Sequence, residues 1–214
     1  MRVLYLHGFA SSPQSSKATF FAAKLAALGV PFDAPDLNAP DFSTLTVTRM
    51  LNQCGEIIER DRDPVAVIGS SLGGFVAVQA ALRYTTQISR VVLLAPALEF
   101  DGDSLSDLGD RSLEAWKSTG RLDVFHYGYG RMVPLHYELY GDSRQYDAMD
   151  AKLTQPVQVF QGRRDTAVNP DTVERWSAVR PNVELHMLDD DHQLHGSLHY
   201  IWGHVAPVLH QQIP

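Results

Sequence analysis

The feature that most constrains this chain is a rhythm in which short apolar runs alternate with stretches of helical period. Residues 3–6, 31–36, 65–68, 90–94, 157–161 and 183–188 read as strands. The run 65–68 is continuously apolar, as strands covered on both faces of a parallel sheet are. Helix signals lie between the strands. Ser12-Pro13 resembles an N-cap followed by proline at the first helical position, and opens a helix to Leu28 with Ala18, Phe21, Leu25 and Leu28 on one face. From Ser43 or Thr44 to Glu59, the residues Val47, Met50, Leu51, Cys54, Ile57 and Ile58 make a helical stripe. Residues 72–84, 170–179 and 197–211 complete the helices. This alternation predicts an α/β fold: one mainly parallel six-stranded sheet with helices on both faces.

A chain of 214 residues fits one domain, 1–214, and the rhythm breaks once within it. Residues 97–150 are polar, acidic and rich in aromatics, without a clear period, and are expected to form a cap or lid after the fourth strand. This segment holds five basic and eleven acidic side chains, a net −6 out of −7 for the whole chain. Trp116, Phe125, Tyr127, Tyr129, Met132, Tyr137 and Tyr140 could line a pocket or form the segment's own core. The acidic balance argues against nucleic acid, which demands a clustered basic face. The single cysteine, Cys54, cannot pair within the chain, which fits a reducing compartment. No apolar run approaches the ~18 residues of a membrane span. The first eight residues are too short and polar for a signal peptide, so no membrane association and a cytoplasmic location are expected.

In parallel sheets of this kind, ligands sit beyond the carboxyl ends of the strands. At one such end, Gly69-Ser70-Ser71-Leu72-Gly73 matches G-x-S-x-G between an apolar run and a helix. This is the strand–turn–helix setting of a nucleophile elbow, whose flanking glycines let strand and helix approach and whose serine protrudes over the sheet edge. A P-loop reading fails because no lysine follows. A serine hydroxyl needs a base, and of nine histidines His192 sits just after the last strand; His126, His136, His186, His195, His199, His204 and His210 do not. Asp165, after the fifth strand, is the candidate acid to hold the imidazole. Glu99 and Asp101 compete for that role, while Asp189, Asp190 and Asp191 read as a solvated turn. The oxyanion would be held by the backbone N–H of Leu72 and one from the loop after the first strand, Phe9 before Ala10.

The opening His7-Gly8-Phe9-Ala10-Ser11-Ser12-Pro13, the Gly69–Gly74 elbow and the later Gly162-x-x-Asp165 and Asp191-His192 resemble the small YqiA-like esterases of the α/β-hydrolase superfamily. The resemblance covers 1–96 and 151–214. It implies an α/β-hydrolase fold lacking the first two strands of larger relatives. It also implies a carboxylesterase-type serine hydrolase for short acyl esters, with Ser71, Asp165 and His192 as triad, a small-molecule ester as its partner and no cofactor or metal.

Other readings remain beside this one. Thioesterase, lactonase or peptidase chemistry would use the same triad, and a hydrolase fold can serve as a non-catalytic binding module. A metal-dependent hydrolase could draw on His192, His195 and His199, spaced to share one helical face, with residues 189–191. A homodimer is left open. The acidic insertion leads to an expectation that neutral or cationic esters are preferred over anionic ones.

Overall fold

The computed structural model describes residues 1–100 and 113–210. Its elements run β1 (Arg2–Leu6), α1 (Ser16–Ala27), β2 (Phe32–Asp33), α2 (Val47–Ile58), β3 (Val65–Ser70), α3 (Leu72–Arg83) and β4 (Ile88–Leu94). After these come α4 (Leu113–Thr119), β5 (Arg121–His126), β6 (Arg131–His136) and α5 (Glu138–Ser143). The chain closes with β7 (Val157–Gly162), α6 (Pro170–Ala178), β8 (Val183–Leu188) and α7 (Leu198–His210).

Among the described residues the main sheet has the order β2-β1-β3-β4-β7-β8, and every adjacent pair is parallel. Alternate side chains of a strand point to opposite faces, so each buried strand feeds two cores. Leu4 and Leu6 of β1 join Val65, Val67, Val91 and Leu93 beneath α2, α3 and α6. Val3 and Tyr5 join Ala66, Ile68, Val92 and Phe160 beneath α1 and α7. The six strands, their parallel arrangement and the helices on both faces agree with the sequence reading.

The order contains one reversal. The chain leaves β1 toward β2 on one side, while β3 pairs on the other, with Leu6 opposite Gly69. The helices that follow β1 and β3 also diverge, α1 to one face and α3 to the other. Between them a crevice opens at the carboxyl ends of the strands, where such sheets bind ligands.

Several local boundaries differ from the sequence expectation. The first helix starts at Ser16, capped by Ser15, whose Oγ accepts from the Ala18 N–H at 3.3 Å. Ser12 instead makes a turn: its Oγ accepts from Gln14 N at 3.2 Å and its carbonyl from Ser15 N at 3.1 Å. The second strand is only Phe32–Asp33 because Asp36 turns the chain, accepting the Asn38 N–H at 3.0 Å and the Asn38 amide at 2.8 Å. Helix α2 begins at Val47, behind a 3₁₀ turn (Phe42–Thr44) capped by Asp41, and its own N-cap is Thr46. Gln211, placed at the end of the closing helix, lies outside the described residues.

Within the segment 97–150, residues 121–126 carry a clear period. Residues 101–112 lie outside the described part. Beyond them α4, the antiparallel hairpin β5–β6 and α5 form a small subassembly. Leu122, Val124 and His126 are buried while Arg121, Asp123 and Phe125 are exposed, a two-residue alternation that marks a half-buried strand. Trp116 is buried and donates from Nε1 to the Leu135 carbonyl at 3.1 Å. Tyr137 and Tyr140 pack against the same core, whereas Phe125, Tyr127, Tyr129 and Met132 are exposed. The Asp142 carboxylate clamps the subassembly to α2 by accepting from Thr48 N at 2.8 Å and Thr48 Oγ1 at 2.5 Å. No helix among the described residues is long and apolar enough to cross a membrane.

One charged residue ties β1 to α2. Arg2 is 4% exposed and donates from Nη2 to the Ile57 and Ile58 carbonyls at 2.6 and 3.0 Å, satisfying acceptors at the end of α2. Asp33 and Asp61 lie within 3.7 and 3.4 Å of its guanidinium. The Ile57 carbonyl keeps the Arg60 N–H, so Arg2→Met leaves the Ile58 carbonyl unpaired and is expected to cost about 1–3 kcal/mol in urea unfolding. A loss below about 0.5 kcal/mol, the scale of an ordinary surface change, would contradict this role.

Candidate active site

Ser71 stands between β3 and α3 with φ 54° and ψ −119°, a sparsely populated conformation for a residue with a Cβ. The surroundings hold it there: its N–H donates to the Leu94 carbonyl at 3.0 Å, and its carbonyl accepts from Gly74 and Ala97 at 2.8 and 3.1 Å. Its side chain makes no capping bond to α3, so the hydroxyl is not spent on the helix. The flanking glycines are required by contact. A Cβ on Gly69 would overlap the Gly73 carbonyl, and one on Gly73 would overlap the carbonyls of Leu6 and His7. The strained serine and its two small neighbours are what the G-x-S-x-G pattern predicts.

The loop after β1 lies directly against this turn. A Cβ on Gly8 would sit 3.2 Å from Ser71 Cβ and 3.3 Å from the Ser70 carbonyl. Ala10 takes a positive φ of 51°, and Phe9 packs on Phe42 with ring centroids 5.5 Å apart. His7 braces the loop from beneath: its Nε2 accepts from Leu37 N at 3.0 Å while Nδ1 donates to the Gly8 carbonyl at 2.9 Å. Among the described residues neither the Phe9 N–H nor the Leu72 N–H donates to any group. Both residues line the cavity that holds Ser71. Unpaired backbone donors are rare in folded proteins, and two beside one serine are suited to an anionic oxygen.

His192 and Asp165 come together across two loops. Nδ1 of His192 donates to Asp165 Oδ2 at 2.8 Å, and the Asp165 side chain is fully buried. The other carboxylate oxygen accepts the N–H groups of Ala167 and Val168 at 2.8 and 2.9 Å, and Oδ2 also takes the Gln161 amide at 2.9 Å. Burial pushes this carboxyl up, but the hydrogen bond and charge of His192, with the Val168 N–H and the Gln161 amide, hold it net below the ordinary carboxylate range. An ionised carboxylate fixed to Nδ1 sets the tautomer that leaves Nε2 free to accept a proton. Gly162 permits the loops to meet, since a Cβ there would lie 2.6 Å from the carbonyls of Asp190 and Asp191.

Ser71, Phe9, Leu72 and His192 line one cavity of about 720 Å³, together with apolar Ala97, Phe100 and Val168 and with Tyr127 from the hairpin tip. Among the described residues no direct hydrogen bond joins the Ser71 hydroxyl to His192; such bonds are often long in ligand-free sites. The competing acids go elsewhere. Glu99 accepts from Thr172 Oγ1 at 3.1 Å, and Asp101 lies outside the described residues. The run 189–191 is not uniformly solvated. Asp189 pairs with Arg164 at the surface, but Asp190 is largely buried and accepts from Asp191 N and Ser197 Oγ, stapling the His192 loop.

The histidines proposed for a metal do not share a helical face. His192 is on a loop and binds Asp165, His195 is in a 3₁₀ turn and meets Ser16 Oγ at 2.6 Å, and His199 on α7 packs edge-on against Phe20. The positive φ of Leu194 breaks the register between them. Sequence reasoning missed Gln161, whose amide positions Asp165 from the end of β7, and Lys17, a buried cation in the cavity wall.

Comparison with known proteins agrees with this architecture. Lipase LipV of Mycobacterium tuberculosis is 32% identical over 89 residues, which takes in 39% of this chain and 34% of LipV. Among solved structures, Est1E from Butyrivibrio proteoclasticus with bound ferulic acid superposes with a TM-score of 0.83 at 19% identity, covering 97% of this chain and 87% of that one. A Paleococcus ferrophilus monoacylglycerol lipase gives 0.77 at 15% identity, covering 97% and 93%. The fold is thus the α/β-hydrolase fold. The model of the uncharacterised protein family UPF0227, the YqiA-like group that the motifs resemble, matches residues 2–207, and the chain belongs to that family.

Proposed function

We propose that this protein is a serine hydrolase that cleaves carboxylic esters with short acyl groups. The observation that carries the reading is the meeting, in one cavity, of a strained and uncapped serine with a histidine whose far nitrogen is held by a buried, ionised aspartate. The name of LipV and the ferulic acid in Est1E support an ester as substrate.

The steps follow from the positions. Ser71 Oγ attacks the ester carbonyl as His192 Nε2 takes its proton, and the Phe9 and Leu72 N–H groups receive the charge that develops on the carbonyl oxygen. Because the donors are fixed by the backbone, they need no reorganisation when that charge appears. The imidazolium then protonates the leaving alcohol, and an acyl-enzyme ester remains on Ser71. Water, deprotonated by the same imidazole, attacks this ester, and the imidazolium returns that proton to Ser71 Oγ as the acid leaves. Asp165 stays ionised throughout and stabilises the imidazolium. The segment 97–150 serves as a cap whose hairpin tip, at Tyr127, closes one side of the cavity.

Ser71→Ala should lower kcat on para-nitrophenyl butyrate by a factor on the order of 10⁶ while the circular dichroism spectrum and unfolding midpoint persist. Near-normal turnover by this variant would overturn the assignment. Asp165→Asn keeps the shape but presents the wrong tautomer to Ser71, and should cost about 10⁴ in kcat. Turnover within about tenfold of the parent would remove Asp165 from the mechanism and return the acid's role to Glu99 or Asp101.

A further inference from the structure

The mechanism leaves one buried charge unused. Lys17, on the first turn of α1, is 6% exposed and lines the cavity that holds Ser71. Its ammonium donates to the Gln193 carbonyl at 3.1 Å, and among the described residues it has no second hydrogen-bond partner and no carboxylate in direct contact. An ammonium carries three donors, so two are left without a protein acceptor. Desolvation by burial pushes its pKa down to about 8, against the upward pull of Asp165, Asp191 and Asp190. A buried cation whose one hydrogen-bond partner is a neutral carbonyl marks a place where an anion would be stabilised.

Independent groups on the same wall point the same way. Tyr5 is 1% exposed and lines the cavity, and its buried hydroxyl lies beside the Ser15 and Ser70 hydroxyls, which makes this stretch of wall polar. Ser15 and Ser16 line the cavity beside Lys17, and the first-turn N–H groups of Ser16 and Lys17 donate to nothing among the described residues. Free N–H groups at a helix start and a buried ammonium with donors to spare stand together on one wall, among hydroxyls that can donate as well.

We propose that this wall, formed by Lys17, Tyr5, Ser15 and Ser16, is a subsite for a carboxylate carried on the leaving alcohol of the ester. The proposal rests on the reading of Ser71 as an ester-cleaving nucleophile. The leaving-group side follows from the tether: His192 must face the departing oxygen to protonate it, and Lys17 grips Gln193, the next residue. A monoanion is favoured over a phosphate dianion because Asp165, Asp190 and Asp191 surround the single ammonium with negative charge. The net −6 of residues 97–150 acts differently. Those charges work from a distance through salt water, where screening is strong beyond about 10 Å, whereas Lys17 acts at contact inside the cavity. The preference for neutral esters expected from net charge is therefore reversed for this class of anion.

The test compares para-acetoxybenzoate with para-acetoxybenzamide, which share shape and acyl group and differ in the charge on the alcohol. The wild-type protein should favour the carboxylate by about tenfold or more in kcat/KM. Lys17→Met should abolish that ratio and Lys17→Arg should keep it. The ratio should decline as the pH rises through about 8 in the wild type, where Lys17 loses its proton, and not in Lys17→Arg. Calorimetric binding of para-hydroxybenzoate and para-hydroxybenzamide to Ser71→Ala reads the same preference without turnover. Hydrolysis of both esters with no preference for the carboxylate, or with a ratio unchanged by Lys17→Met, overturns the subsite while the hydrolase reading stands. Lys17-dependent binding of the benzoate with no hydrolysis of either ester upholds the subsite and overturns the hydrolase reading.

Discussion

The site depends on a contact in which there is no side chain. Gly69 and Gly73 bring β3, α3 and the end of β1 so close that a single Cβ would overlap main-chain carbonyls. That approach forces Ser71 into its strained conformation and brings Gly8 and Phe9 alongside it. A strained residue in the sparsely allowed region costs of order 1–3 kcal/mol, and the cost is met by the backbone bonds from Ser71 to Leu94, Gly74 and Ala97. The protruding Ser71, the free N–H groups beside it and the crevice between α1 and α3 are thus consequences of one packing constraint at the point where the sheet reverses direction.

The Asp165–His192 pair is built by a different device. β7 and β8 end side by side, and their loops are pinned by Gly162 against Asp190 and Asp191, by Asp190 on Ser197, and by Lys17 on Gln193. Asp165 receives four hydrogen bonds within this frame, so its charge is held by protein dipoles instead of water. A carboxylate so saturated can orient and stabilise an imidazolium without taking its proton.

Much of this was legible in the residues. The apolar runs locate all six strands of the main sheet, and the strand-end rule picks out Ser71, Asp165, His192 and the loop at Phe9, which the structure brings to one cavity or joins by a hydrogen bond. The misses have physical reasons. Ser12-Pro13 carries a good helix-start pattern, yet Ser15 offers the same cap three residues later and wins because the loop must first turn past Ser71. The hairpin at 121–136 hid its alternation behind charged and aromatic outward residues, although Leu122, Val124 and His126 keep the period. Lys17 and Gln161 were passed over because long polar side chains are usually solvated. Only the tertiary structure reveals that the walls around them exclude water.

In the proposed mechanism Ser71 and the Phe9 and Leu72 N–H groups act as one reactive centre with His192. The most direct measurement is a crystal structure of the protein after reaction with a fluorophosphonate. Phosphorus should be bonded to Ser71 Oγ, with the phosphoryl oxygen about 2.7–3.1 Å from both backbone nitrogens. An adduct on another residue, or a phosphoryl oxygen turned away from Phe9 and Leu72, would contradict it.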